Sequence, residues 1–318
     1  MSLSTLAPSL VLLGPQRHQP TVRPVLDSLQ GDGPPALLSA GWQEREAEHQ
    51  ELSDHLGHEV LNLELWERAE TLFQEDSEYL DAFRRRQDRL LALQRLYRFR
   101  LEHVLECARN LLKRPAGEVD LVEIQSHAVQ QVRDIDAHHL LLVDQVRSEF
   151  YQEWDLQHRP AAEKHLRAVE DTLARCSVLC IAGGHVGVIL NRLEMFGVLD
   201  RLQGQPVVAW AAGAMALGET VVLFHDRPPQ GQGNAEVFAR GMALFPDLLP
   251  LPHAKLRLEL SDPSRVSLFA RRFQPLRCVL FNDSQARMNL TEDGWQPGPG
   301  MRCMGEGGKL SAWAEKSS

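Results

Sequence analysis

No stretch of this chain approaches the roughly 18 consecutive apolar residues that a membrane-spanning helix needs, so no transmembrane segment is expected. A positive charge balance is missing as well. With 34 Lys and Arg against 43 Asp and Glu, the formal net charge is −9. That balance argues against general binding to nucleic acid or to an anionic membrane, both held largely by cationic side chains. Cysteine is sparse: Cys107, Cys176, Cys180, Cys278 and Cys303 are an odd five without a C-x-x-C pair. They do not suggest a disulfide framework, and they fit reduced thiols in a cytoplasmic protein. The opening residues, "MSLSTLAPSLVLLGPQRH", lack a basic segment followed by a long apolar one, so no signal peptide is expected. The length of 318 residues suffices for one large α/β unit or two smaller ones.

Glycine and proline are unevenly spread, and their absence divides the chain into three. Residues 1–57 open with the apolar run Leu10 to Leu13, stopped by Gly14, and a second run, Ala36 to Leu38, with "TVRPVLDSL" between them. Two short apolar strands joined by a helix fit a β-α-β unit of a parallel sheet. From His58 to Arg114, and again from Glu118 to Arg159, there is no Gly or Pro at all. Leu90, Leu93, Tyr97, Leu101, Val104, Ala108 and Leu111 recur there at three- and four-residue spacing, which predicts one apolar stripe on a long helix. "RPAGEVD" supplies a break before a second helix, and Pro160 starts a third. Residues 58–174 are therefore expected to form a helical insertion, with homodimerisation through the long helices as one use for it. Residues 175–318 return to alternating strands and helices: Ser177 to Ile181, Val207 to Trp210, Thr220 to Phe224 and Arg277 to Phe281 read as strands. Asp262-Pro263 reads as a helix cap, and "MNLTEDGW" as a hairpin turning at Asp293-Gly294.

Four motifs of this last segment stand in an informative order: "IAGGHV", "AWAAGAM", "PLPHA" and "FNDSQA". Their sequence resembles the peptidase E and cyanophycinase family of serine peptidases, relatives of the class I glutamine amidotransferase fold. The likeness covers roughly residues 177–305 and, more weakly, 9–41. It implies a three-layer, flavodoxin-like α/β fold with a mostly parallel sheet, into which the helical segment is inserted. It also implies that "AWAAGAM" is a nucleophile elbow, a sharp strand-to-helix turn that needs small flanking residues. The family carries its serine where this chain has Ala211. By the same resemblance, His253 occupies the position of the general base and Asp283 that of its acidic partner. Ala212 with Gly183 or Gly184 would supply the oxyanion hole. His185, Trp210, Glu219 and His225 are the further residues expected around the pocket, at the sheet's carboxyl edge where ligands of such folds bind.

A methyl group at residue 211 removes the attacking oxygen. The leading expectation is thus a non-catalytic binding, regulatory or scaffolding protein that takes a small peptide or amino-acid-like ligand, with no cofactor or resident metal. The alternative is a live hydrolase of acidic or β-aspartyl peptides. It would use a native serine that Ala211 replaces, or a water activated by His253, or a metal or anion held by His185, His253 and Asp283. Ser39-Ala40-Gly41 also spells S-A-G, but it lacks the small residue two positions before the serine and reads as a strand end.

Overall fold

In the computed structural model, residues 9–29, 31, 33–57, 59–115, 117, 120–226 and 233–313 are described. The first eight residues, where no signal peptide is expected, and residues 227–232 of the loop "HDRPPQGQGN" lie outside them. The chain begins with Leu10–Leu13 (β1), Val22–Ser28 (α1) and Ala36–Leu38 (β2), then a 3₁₀ segment, Ala40–Arg45, a short helix Gln50–Leu56 (α2) and Leu61–Asn62 (β3). Four helices follow: Leu65–Glu75 (α3), Ser77–Leu112 (α4), Leu121–Glu153 (α5) and Pro160–Arg175 (α6). The remainder alternates. It contains Leu179–Ile181 (β4), Val186–Met195 (α7), Val207–Trp210 (β5), Ala212–Leu217 (α8), Thr220–Leu223 (β6) and Glu236–Arg240 (β7). Leu248–Pro252 (β8), Ala254–Arg257 (α9), Pro263–Arg272 (α10) and Arg277–Phe281 (β9) lead to the last strands, Arg287–Thr291 (β10), Gly294–Pro297 (β11), Arg302–Met304 (β12) and Leu310–Ala312 (β13).

The protein is mixed α/β with a mostly parallel central sheet. Its strand order is β11-β10-β1-β5-β4-β2-β3, parallel from β1 through β3 and antiparallel only at β10 and β11. Strands β1, β2, β4 and β5 are buried along their whole length, as parallel strands covered on both faces must be. Among the described residues no helix is long and apolar enough to cross a membrane.

Three expectations are corrected. The strands do not all join one sheet. β8 and β9 pair in parallel and continue into β12 and β13, while β6 and β7 form a separate antiparallel ribbon. The reason is α8, "AGAMAL", which is apolar all round and packs against β5 on one side and β6 and β8 on others. The helical segment was expected from residue 58, yet Leu61 and Asn62 pair with β2 at the sheet edge, so the helices begin at Leu65. The hairpin pairs Thr291 with Gly294, which puts the turn at Glu292-Asp293 and leaves Gly294, at φ 98°, as the first strand residue.

Helices α4 and α5 form an antiparallel pair docked on β7 and α10 through a buried polar knot. Arg272 of α10 donates from Nε and Nη2 to the two carboxylate oxygens of Asp136 on α5, at 2.6 and 2.8 Å. Its Nη1 reaches Ala235 O at 2.8 Å. Tyr97 of α4 donates to Asp136 at 2.7 Å and accepts from Val237 N at 3.0 Å. His139 stacks on Tyr97 and donates from Nε2 to Gln94 Oε1. Burial pushes that imidazole down to about 4, so the ring is neutral near pH 7. Every group in the knot has a partner, the condition under which buried polar networks stabilise rather than weaken a core. Removing the carboxylate strands a buried guanidinium. Asp136→Ala should therefore cost about 3–5 kcal/mol in urea unfolding, whereas Asp136→Leu combined with Arg272→Met should recover most of it.

A second buried acid supports the segment after β2. Glu46 Oε2 accepts from Trp66 N at 2.8 Å and Glu67 N at 3.0 Å, capping α3, while Oε1 has no partner among the described residues. Burial pushes this carboxyl from 4.5 up to about 7, against the pull of those two N–H groups and of Arg192. The folded state then holds the proton more tightly than the unfolded chain. The stabilising contribution is complete below pH 4.5 and is lost as pH rises through 7. Between pH 4.5 and 8, wild type should lose on the order of 3 kcal/mol more stability than Glu46→Gln, read by urea unfolding across that window.

Candidate functional site

The site is built at the carboxyl edge of β5, where the chain turns into α8. Ala211 sits in that turn at φ 49° and ψ −118°, a region that residues with a Cβ rarely enter. Its N–H donates to Leu13 O at 3.1 Å and its carbonyl accepts from Met215 N at 3.2 Å, which fixes both sides of the strained residue. The neighbours leave little space. A Cβ on Gly213 would run into the carbonyls of Ile181 and Ala182, and one on Gly183 would stand 3.1 Å from the Ala211 methyl. Gly184, at φ 134°, lies against the Gly41 carbonyl with no room for a side chain. The next N–H, that of His185, donates to the same carbonyl at 2.8 Å. The expected elbow and the expected glycine turn are thus in contact.

Ala212 opens α8, and its N–H precedes the first intrahelical bond, Met215 to Ala211. The 183–184 turn and Ala212 share one edge: an added Cβ on Gly183 would lie 3.6 Å from Ala212 N. His185 is exposed, and its Nδ1 accepts from Val188 N at 3.2 Å, capping α7. Trp210, expected to line the pocket, is instead core. It is 6% exposed and packs with Val11, Leu13 and Val208, because the β5 side chain at that register faces the α1 side of the sheet.

Strand β8 approaches from the far end of α8. Leu244 N donates to Leu217 O there, Phe245 packs on Gly218, and β8 then packs against the helix. His253 follows its last residue, at φ 56° and ψ 26°, with its N–H on Phe281 O at 2.9 Å. The ring is half-buried and makes no hydrogen bond among the described residues. Burial, and then the charge of Arg257, hold its pKa below the usual histidine value. Asp283 presses its backbone carbonyl on Gly14, the residue after β1, so the loop after β9 reaches the sheet edge. Its side chain, however, is exposed and accepts from Gln285 N at 3.0 Å. Among the described residues no hydrogen bond joins His253 to Asp283. The expected orienting pair is not made, because the Asp283 carboxylate closes its own turn.

The remaining expectations separate. Glu219 follows Gly218 at the carboxyl end of α8, about 10 Å of helix from Ala211, so it does not reach this edge. His225 follows β6, which packs on α8, and its charged neighbour is Arg257. Metal binding by His185, His253 and Asp283 is not supported. Among the described residues no three His, Cys, Asp or Glu side chains are grouped to hold an ion. Ser39, the other S-A-G serine, is buried and bonded to Glu46 O and Asn62 Oδ1.

One residue was not singled out from sequence. Arg257 lies one helical turn after His253, with its guanidinium 5.9 Å from the Phe224 ring centre and its carbonyl accepting from Asp226 N. Burial lowers its pKa, and its charge acts on both His253 and His225. Among the described residues no carboxylate forms an ion pair with it. The four-residue spacing in "HAKLR" was the available signal, but half-burial and the lack of an acid are tertiary facts.

No family model matches the chain, and no curated protein matches it. Among solved structures it is similar to a peptidase from an acI-B1 Actinobacterium, at 12% identity and a TM-score of 0.48, covering 97% of this chain and 98% of that one.

The strain at residue 211 is directly measurable. Ala211→Gly removes the Cβ that makes positive φ costly, so the variant should be more stable than wild type by about 1 kcal/mol in chemical denaturation.

Proposed function

We propose that this protein is a peptidase E-like homologue, with a flavodoxin-like core of the glutamine amidotransferase type, that binds an acidic peptide or amino-acid-like ligand without cleaving it. The observation that carries the proposal is Ala211: an elbow backbone, strained and tightly packed, bearing a methyl group. Evolution of a plain strand-to-helix turn has no need of that strain, whereas a site that must present residue 211 to a ligand does. Without an oxygen at residue 211, acyl transfer by the serine route is closed, and loss of such a nucleophile costs on the order of a millionfold in turnover. The N–H groups of Ala212 and of Gly183 or Gly184 remain suited to an oxygen of the bound ligand. Arg257, half-buried and without an acid among the described residues, supplies a positive charge beside His225 and His253, so the ligand's anionic group would lie there. The Asp283 side chain, bonded to its own turn rather than to His253, agrees with a site that binds rather than reacts.

A hydrolase remains the second reading, and His253 favours it. A half-buried imidazole held below its usual pKa, and without a hydrogen-bond partner among the described residues, can accept a proton from water, or from a serine at residue 211.

Turnover and binding assays with acidic dipeptides and β-aspartyl peptides separate the two. Wild type should bind without hydrolysis, and Arg257→Ala should weaken binding about tenfold or more. Ala211→Ser should gain detectable hydrolysis. Rapid turnover by wild type that disappears in His253→Ala would overturn the proposal.

A further inference from the structure

A second strained residue stands on the same sheet edge. Gln43 has φ 57° and ψ −126°, 8° from Ala211 in each angle, and it too carries a Cβ where the backbone favours none. Contacts lead from one to the other. Gly183 lies against the Ala211 methyl, Gly184 against Gly41, and a Cβ on Gly41 would be 3.1 Å from Gly183 O. Gln43 is two residues beyond Gly41, and Trp42 between them packs on the apolar cluster that also receives Ala211.

The flanking segment is thoroughly tied down. Trp42 N donates to Ser39 O, Ser39 Oγ to Glu46 O, and Glu46 N to Gln43 O. Asn62 Nδ2 also donates to Glu46 O, and the Glu46 carboxylate caps α3. These bonds hold Gln43 in its strained state, but none of them uses its side chain. Gln43 is half-buried, and its side-chain amide makes no hydrogen bond among the described residues. An amide carried on a held backbone and unspent among the described residues offers one acceptor and two donors, the complement of a peptide group or a primary amide. Strain held by surrounding structure concentrates where a group must be aimed.

We infer that Gln43 is a ligand-binding residue, whose side-chain amide pairs with the peptide group of a ligand seated at the Ala211 edge. The inference rests on the reading of that edge as an acidic-peptide pocket. It assigns recognition of the peptide group to Gln43 and of the anionic group to Arg257.

Calorimetric titration of the full chain with aspartyl-alanine, and with free aspartate, which has no peptide group, tests it in wild type, Gln43→Ala, Gln43→Gly and Arg257→Ala. Both Gln43 variants should bind the dipeptide about tenfold more weakly and aspartate within twofold of wild type. Gln43→Gly should melt no lower than wild type, since glycine relieves the backbone, which separates lost binding from lost fold. Arg257→Ala should weaken both ligands. Unchanged dipeptide binding in the Gln43 variants, with binding lost in Arg257→Ala, would overturn the role of Gln43 and spare the pocket. Equal weakening of both ligands by the Gln43 variants would assign it a structural role only. Failure of wild type to bind either ligand would overturn the pocket reading and this inference with it.

Discussion

Crowding of backbone at the carboxyl edge of β4 and β5 governs this molecule. The carbonyls of Ile181 and Ala182 meet Gly213, the Gly183 backbone meets the Ala211 methyl, and Gly41 meets Gly184. Each approach is closer than a Cβ allows or at its limit, so glycine or alanine is required wherever the segments cross. The same crowding holds Ala211 at positive φ, since its N–H is committed to Leu13 and its carbonyl to Met215. Relaxing residue 211 to an ordinary helical or extended backbone would break one of these bonds and swing α8 away from the strands it covers. Strain and close packing are therefore one feature, and the proposed pocket is its outward face.

The helices are fastened to this framework by a different kind of interaction. Asp136 and Arg272 form a buried, doubly hydrogen-bonded ion pair, and Tyr97, Ala235 and Val237 complete its partners. An ion pair in such a place adds little stability over an apolar contact of similar size, while its two parallel hydrogen bonds orient α5 against α10. It joins α4 and α5 to α10 and to the strand that carries Glu236. A further charged contact, Arg98 to Glu236 at 2.6 Å, lies at its rim.

Much of the secondary structure was legible from residue pattern. The stretches without Gly or Pro became helices apart from Leu61 and Asn62, and Val207 to Trp210 and Arg277 to Phe281 became strands at their expected bounds. Sheet membership was not legible, because a buried apolar strand carries no mark of which neighbour it will pair with. That is why Arg277 to Phe281 could be read as a strand but not assigned to the second sheet, where it pairs with β8. At the site, the small residues around Ala211 announced themselves, since close approach leaves few alternatives to Gly and Ala. Trp210 and Asp283 misled for opposite reasons. An aromatic at a strand end faces the pocket or the core according to register, and an aspartate after a strand serves its own turn as readily as a distant histidine. Gln43 gave no warning, because glutamine has no preference for positive φ, and only the surrounding hydrogen bonds force it there.

Selective labelling of glycine and alanine amides offers the most direct test of the pocket. In titration with aspartyl-alanine, the resonances of Gly183, Gly184 and Ala212 should shift and saturate together while the dipeptide stays intact. Saturating shifts confined to other parts of the chain, or consumption of the dipeptide over many turnovers, would contradict a non-covalent ligand site at Ala211.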